Sequence, residues 1–351
     1  MDREIFDLYT DYVISSSGSR TATGLSDLTD GEVSHDKITR FLSQEEYDSK
    51  TLWKNVKPLI RKVEQEEGIL IFDDTIEEKP YTDENEIVCW HFDHAKNRSV
   101  KGINILSALA RYDDVALPVA YELVRKTKTF VDPKTGKTKR RSDCSKNEMF
   151  RNMVDVCVQN QMQFRYVMAD SWFSSKENME HIRNRKKHFL FAIKSNRTIA
   201  LSLEEKKRGE FKRVSELSLE EGEAALVFIK GLDFGVLLVK QVFTNKDGST
   251  GILYLVCSDT TLKASQIIDL YKKRWRIEEY HKSIKSNTGL EKSPTRTGRT
   301  QNNHIFSCLC AFAKLEWLSI KKHLNHFALK YKLILKANQI ALMELRKMLQ
   351  E

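Results

Sequence analysis

The sequence contains no run of about 18 apolar residues, which rules out a transmembrane helix. Its first ten residues, MDREIFDLYT, carry acids and no apolar core, so no secretory signal is read there. The six cysteines (Cys89, Cys144, Cys157, Cys257, Cys308 and Cys310) form no Cys-x-x-Cys pair. That excludes the common zinc-finger spacings and a disulfide scaffold, and scattered thiols of this kind are read as reduced and cytoplasmic. Internal repeats and low-complexity tracts are also missing. What remains is globular composition, with 40% hydrophobic and 30% charged residues over 351 positions. That length corresponds to about two structural units and a large core.

Charge is unevenly spread. Lys263 to Glu351 holds 18 Lys and Arg against 7 Asp and Glu, a surplus larger than the net +9 of the whole chain. A second cluster, Arg125 to Arg141 (RKTKTFVDPKTGKTKRR), has eight cations and one acid, Asp132. Such patches suit a polyanionic partner, although a solvated basic face has the same composition.

Residues 1–66 are polar and helical in pattern. Within them a short amphipathic segment, a break at Gly31, and Ser34 as N-cap of a second helix outline a helix-turn-helix. Ile38, Phe41 and Leu42 would be buried, while Lys37 and Arg40 would face outward to DNA. A plain helical hairpin shares that outline.

ILIFDD (69–74) is a short apolar run ending in acids, the pattern of a buried strand with carboxylates at its exit. Further strands are expected near 87–92, 102–112 and 116–124. A hairpin loop at Asp132–Gly136 and a helix over Lys146–Gln161 follow. FRYVMAD (164–170) is a second strand leaving an acid at its end, followed by a helix from about Ser174 and a strand over 189–194. Between 197 and 261, β-formers at 227–230, 236–243 and 251–257 alternate with turns such as Asn245-Lys246-Asp247-Gly248, a β-rich insertion. Long helical stretches cover Leu262–Ser286 and the region from Gln301 through His323.

Two strand-end aspartates and an acid in RWRIEEYHK are the chemical signal. Ligand sites in α/β sheets gather at the carboxyl ends of strands. Hard divalent cations prefer carboxylate oxygens, and a pair of them can serve both the attacking and the leaving oxygen of a phosphodiester. Tyr271, Arg274, Glu278 and Lys285 are spaced by 3, 4 and 7 residues, which lines them along one helix face. An amphipathic surface helix with routine ion pairs would also show these residues.

Tyr-x2-Arg-x3-Glu-x6-Lys, read here from Tyr271 to Lys285, resembles the signature of DDE transposases of the bacterial insertion-sequence-four superfamily. Asp74-Thr75 within FDDT and Asp170 within MADSWFSS are similar to the contexts of that family's first two acids. Asp170 lies 96 residues after Asp74, and Glu278 a further 108, which leaves room for the β-rich insertion. The resemblance covers about residues 65–325.

It implies an α/β, ribonuclease-H-like core interrupted by the insertion, with helical N- and C-terminal regions. The expected division is a DNA-binding region at 1–66, core at 67–196, insertion at 197–261, core again at 262–325 and a tail at 326–351 suited to dimerisation. Asp74, Asp170 and Glu278 would be the catalytic, metal-binding triad for two Mg2+ or Mn2+ ions. Asp74 is preferred over Asp73 because Thr75 follows it, and Glu278 over Glu279 from the spacing. Tyr271, Arg274 and Lys285 would contact phosphates. The implied activity is nicking at the ends of a mobile element and attack of the freed 3′-hydroxyl on target DNA. The partners would be double-stranded DNA (terminal inverted repeats and target) and a second copy of the chain, with no membrane, in the bacterial cytoplasm at the nucleoid. A catalytically inactive DNA-binding relative and a nuclease that cuts without joining are the competing expectations.

One departure concerns tryptophan. A relative uses one in its insertion to stabilise a flipped base, yet none lies between Arg197 and Thr261 here. Phe228, Phe234, Phe243 or Tyr254 would have to take that place. His91 and His94 are three apart on a strand, hence on opposite sides, and read poorly as a metal pair. Cys308 and Cys310 are expected in the core; Trp172, just after Asp170, either walls the active site or fills the core, and the core is preferred.

Overall fold

The computed structural model describes residues 1–94, 96–245 and 247–350. Lys246, in the expected Asn245–Gly248 turn, lies outside the described residues, as do Ala95 and Glu351. In chain order the helices are α1 (Arg3–Ser15), α2 (Ala22–Leu28), α3 (His35–Ser43), α4 (Ser49–Val63), α5 (Lys146–Gln159), α6 (Lys176–Asn184), α7 (Leu203–Arg208), α8 (Ala264–Lys272), α9 (Arg276–Asn287), α10 (Gly298–Lys322) and α11 (His326–Met348). The strands are β1 (Ile69–Glu78), β2 (Cys89–Asp93), β3 (Arg98–Tyr112), β4 (Val115–Leu123), β5 (Lys128–Val131), β6 (Thr138–Arg141), β7 (Tyr166–Ala169), β8 (His188–Ile193), β9 (Thr198–Ala200), β10 (Lys212–Arg213), β11 (Ala224–Ile229), β12 (Val236–Thr244) and β13 (Thr250–Cys257).

Eleven strands share one mixed sheet, in the order β10-β9-β11-β12-β13-β8-β7-β1-β3-β2, with β4 also on β3. The first four residues of β1 are buried apolar side chains, as a central strand covered on both faces requires. β1 runs antiparallel to β3 and parallel to β7, which is parallel to β8. The fifteen-residue β3 serves β2 with its first third and β4 with its remainder. At that crossing a side chain on Gly102 would collide with the Glu77 carbonyl, so the chain needs glycine there. An antiparallel meander continued by parallel strands is the ribonuclease-H-like arrangement.

The β-rich stretch is not set apart from this sheet. β13 pairs with β8, so β11, β12 and β13 continue the core sheet outward. The basic Arg125–Arg141 cluster forms the β5–β6 hairpin, separate from the main sheet and almost wholly exposed. The expected continuous helix over 262–286 is instead α8, a 3-10 turn at Lys273–Trp275, and α9.

The N-terminal helices pack onto α10 rather than standing apart. Phe41 meets both Phe6 and Tyr9, and Phe6 and Tyr47 meet Phe306 of α10. Buried Asn303 accepts from the Tyr47 N–H at 3.0 Å and donates to the Leu42 carbonyl at 2.8 Å. Ser34 caps α3 by accepting from the Lys37 N–H, Ile38, Phe41 and Leu42 are buried, and Lys37 and Arg40 are exposed. Cys308 and Cys310 are buried on α10. No helix among the described residues is long and apolar enough to cross a membrane.

Glu316 joins four elements. Its Oε1 accepts from the Ala116 N–H and from Arg276 Nη2, each at 2.8 Å, and its Oε2 lies 2.8 Å from His326 Nε2. Burial alone would raise its pKa, but the bond to His326, the Arg276 charge and the Ala116 N–H together hold it below the ordinary value. The stability Glu316 contributes is therefore full above the unfolded value of about 4.3 and is lost as pH falls through the folded value. Glu316→Ala is expected to cost about 2–4 kcal/mol in urea unfolding at pH 7, because it strands a buried N–H and takes one carboxylate from Arg276, which keeps its Glu279 partner on α9. Glu316→Gln should flatten the acid limb of the stability–pH curve, and an unchanged limb would show that the carboxylate is not the hub.

Candidate active site

Strand pairing decides which carboxylates meet. In the parallel β1–β7 pair, Ile71 stands opposite Met168, so two residues further on Asp73 is level with Asp170. In the antiparallel β1–β3 pair, Asp73 faces Ser107 and Asp74 faces Leu106. Successive strand residues point to opposite sides, so the two aspartates part company. The Ser107 hydroxyl lies 3.2 Å from the Tyr280 hydroxyl of α9, which makes the Asp73 side the side covered by α9.

Glu278 is in the first turn of α9 and Arg274 in the 3-10 turn before it. Arg274 Nη1 is 3.4 Å from Asp73 Oδ2, and its Nη2 is 3.7 Å from Glu278 Oε1. Asp73, Glu278 and His281 each offer a donor atom within 4.8 Å of the others, which is a possible metal site. Asp170 lines the same cleft of about 780 Å3, and its Oδ1 accepts from the Trp172 N–H at 2.9 Å. Burial pushes the Asp73 carboxyl up to about 7; Arg274 opposes this, while the charges of Asp170, Glu278 and Asp74 add to it. His281 is pushed down to about 3 by burial, helped by Lys285, and is therefore neutral at pH 7. Its Nε2 is buried and has no hydrogen-bond partner among the described residues.

Asp74 also lines the cleft but is held from the α5 side. Lys146 Nζ lies 2.9 and 3.1 Å from its two oxygens, and Asn104 Nδ2 donates to it at 2.5 Å. The structure thus brings Glu278 together with Asp73, whereas the Asp-Thr context pointed to Asp74. Lys285 lines the cleft, donates to the Ile76 carbonyl at 3.1 Å and approaches Glu291 at 3.6 Å. Tyr271 stands behind Arg274, its ring 5.8 Å from the guanidinium, and burial pushes its phenol up to about 12. Lys37 and Arg40 lie on α3 and are not walls of the cleft.

Trp172 was expected in the core and is instead 47% exposed on the cleft wall. Its neighbour Phe173 takes the inward position, stacked on Phe150 at 5.4 Å. Among the four aromatics considered in the insertion, Phe228 and Tyr254 are buried, Phe234 is half-buried, and Phe243 is exposed. His91 is buried in β2 while His94 is exposed on the cleft wall, so the two do not form a metal pair. His281 and Lys146 were missed from the sequence. Glu278 and His281 at i, i+3 on a helix do carry a signal, since such a pair shares one face. Nothing local marks Lys146, which only the tertiary fold carries to β1.

Two family models match this chain: a DDE superfamily endonuclease over residues 2–209 and a transposase DDE domain over residues 125–313. Each spans more than half of the chain. This chain belongs to the DDE transposase family. No curated protein is significantly similar to it. The first match contains Asp73, Asp74 and Asp170, and the second contains Asp170 and Glu278.

DDE domains typically use divalent metal ions, and the donors here fit one. Two carboxylates, a third nearby and a neutral imidazole suit Mn2+ or, through the oxygens, Mg2+. Thermal unfolding tests this: Mn2+ should stabilise the wild type by about 2–3 kcal/mol at a hundredfold excess over its dissociation constant. Asp73→Asn should be more stable than wild type without metal by on the order of 1 kcal/mol, through relief of like-charge crowding, and should lose the Mn2+ response. A full Mn2+ response in Asp73→Asn would remove Asp73 from the ligand set.

Proposed function

We propose that this protein is a DNA transposase of the insertion-sequence-four type, which nicks the ends of a mobile element and joins the freed 3′-hydroxyl to target DNA. The observation that carries this reading is the convergence of Asp73, Glu278 and His281, with Asp170 alongside, in a cleft that also holds Arg274, Lys282 and Lys285. In this proposal Asp73, Asp170 and Glu278 are the catalytic acids and hold one or two Mg2+ or Mn2+ ions. Asp74, the acid favoured by the sequence context, fixes Lys146 on the cleft wall. Such ions, when bound, activate the attacking oxygen and stabilise the leaving oxygen. Arg274 and Lys285, set among the acids, neutralise a phosphate backbone brought into the cleft, and Tyr271 braces Arg274 from behind. Lys37 and Arg40 on α3 and the β5–β6 hairpin are surfaces for duplex phosphates away from the cleft.

A dimer on DNA belongs to the same proposal. The start of α11 is anchored: Lys330 donates to the Ser16 carbonyl at 2.6 Å, and His326 lies against Glu316. From Tyr331 onward the helix is exposed apart from half-buried Ile334. Tyr331, Leu335, Asn338, Leu342, Leu345 and Leu349 alternate by four and three residues, the seam of a coiled coil with one polar position to set its register.

Two experiments separate these parts. With plasmid carrying the element's own ends and Mg2+ or Mn2+, Asp73→Asn, Asp170→Asn and Glu278→Gln should each lower nicking by about 100-fold or more, the kinetic equivalent of several kcal/mol of metal stabilisation. Asp74→Asn should lower it less, and the reverse order would show that Asp74 is the catalytic partner. Joined products separate a transposase from a nuclease that only cuts. Leu342→Glu with Leu345→Glu should yield a monomer by sedimentation that still nicks but pairs no ends; a dimer in that variant would clear α11 of the role.

A further inference from the structure

We propose that Lys146 grips a phosphate of the DNA strand being cut, from the wall of the cleft that faces α9. This rests on the reading of the cleft as a DNA-cleaving site and adds a substrate contact to it. The two faces of β1 supply the two walls. On one face Ser107, the partner of Asp73 across the strands, meets Tyr280 of α9, and Asp73 itself meets Arg274. On the other face Phe72 packs on Phe150 of α5, with ring centroids 4.4 Å apart. Asp74 lies two residues beyond Phe72 and so shares the α5 face. The cations Arg274, Lys282 and Lys285 all belong to α9 or to the turn before it. Lys146 is the first residue of α5 and lines the same cleft from the other side.

Lys146 is aimed in advance. Ser145 and Glu148 form a capping box that fixes where α5 begins. Asp74 takes the ammonium between its two oxygens at 2.9 and 3.1 Å, and the Trp172 ring centroid lies 5.0 Å from Nζ. Asn104 donates to Asp74 as well, so the carboxylate that holds the lysine is itself anchored to β3. Among the described residues, the hydrogen bonds of Lys146 Nζ all go to Asp74. An ammonium has three N–H groups, so at least one remains for the cleft. A cation already held in place loses little freedom when it meets its anion, and this favours binding. Cations on α9 alone would draw a strand toward that wall. A cation on the facing wall keeps the phosphate between them, over Asp73, Asp170 and Glu278. A lysine present only to neutralise Asp74 would form the same ion pair, so the test must separate that role from contact with DNA.

The test measures binding of a short fluorescein-labelled duplex carrying the element's end, without metal, by anisotropy over a series of salt concentrations. Asp74→Asn serves as the background, because Lys146 then has no charge on Asp74 to neutralise. Adding Lys146→Gln to Asp74→Asn should still weaken binding by about 10-fold. It should also reduce the slope of log affinity against log salt by about 0.9, the value of one phosphate contact. Lys146→Arg in the same background should keep the slope. A second measurement needs only Lys146→Gln and wild type. Neutral methylphosphonates are placed one at a time along the cut strand, and one of them should weaken wild type while leaving Lys146→Gln unaffected. The proposal is overturned if Lys146→Gln leaves the slope of Asp74→Asn unchanged, if no methylphosphonate distinguishes the two proteins, or if wild type does not bind the duplex. Metal-dependent plasmid nicking by wild type reports on the acids independently, so failure of the Lys146 contact is distinguishable from failure of the cleavage reading.

Discussion

Like charges held close together are the constraint on which the site depends. Asp73 and Glu278 are brought close from a central strand and a covering helix, with Asp170 at the end of the adjacent strand. Arg274 makes this tolerable, since one guanidinium reaches both Asp73 and Glu278. Its position in a 3-10 turn between α8 and α9 gives it that reach. The residual strain is visible in the Asp73 carboxyl, which burial and its neighbours push up to about 7. A cluster so balanced is poised to accept positive charge, as sites built for reaction rather than for stability are.

Much of the fold was legible in the sequence because its signals are local. The apolar run Ile69–Phe72, the Ser34 cap, the turn-bounded strands and the buried Ile38–Leu42 stripe each specify their element within a few residues. The resemblance carried by Tyr271, Arg274, Glu278 and Lys285 then pointed to the family to which the chain belongs. The choice between Asp73 and Asp74 was not legible in the same way. Alternation along a strand separates the two, but which one faces α9 depends on the β1–β7 register and on Ser107 meeting Tyr280, contacts between residues far apart in the chain. The Asp-Thr context is a local cue to a non-local question.

For Trp172 the core was preferred over the active-site wall for a related reason. A large aromatic beside a buried strand usually fills the core, and here Phe173 does so, turning Trp172 outward. The helix expected to run unbroken through Arg274 is interrupted there by a 3-10 turn, from which Arg274 reaches Asp73 of β1. Both misreadings fall at the candidate site, where local preference gives way to chemistry.

The order of the sheet also bears on how the protein comes into being. β1 lies near the start of the chain, β13 and α9 lie beyond residue 250, and α1 is buried against α10. β13, late in the chain, is wedged between β8 and β12, and the glutamate of the cleft follows it. Such long-range pairings form late and slowly. A nascent chain on the ribosome therefore has its aspartates long before it has Glu278, Arg274 or a closed core. The assembled cleft is an attribute of the finished polypeptide, withheld until translation has passed α10.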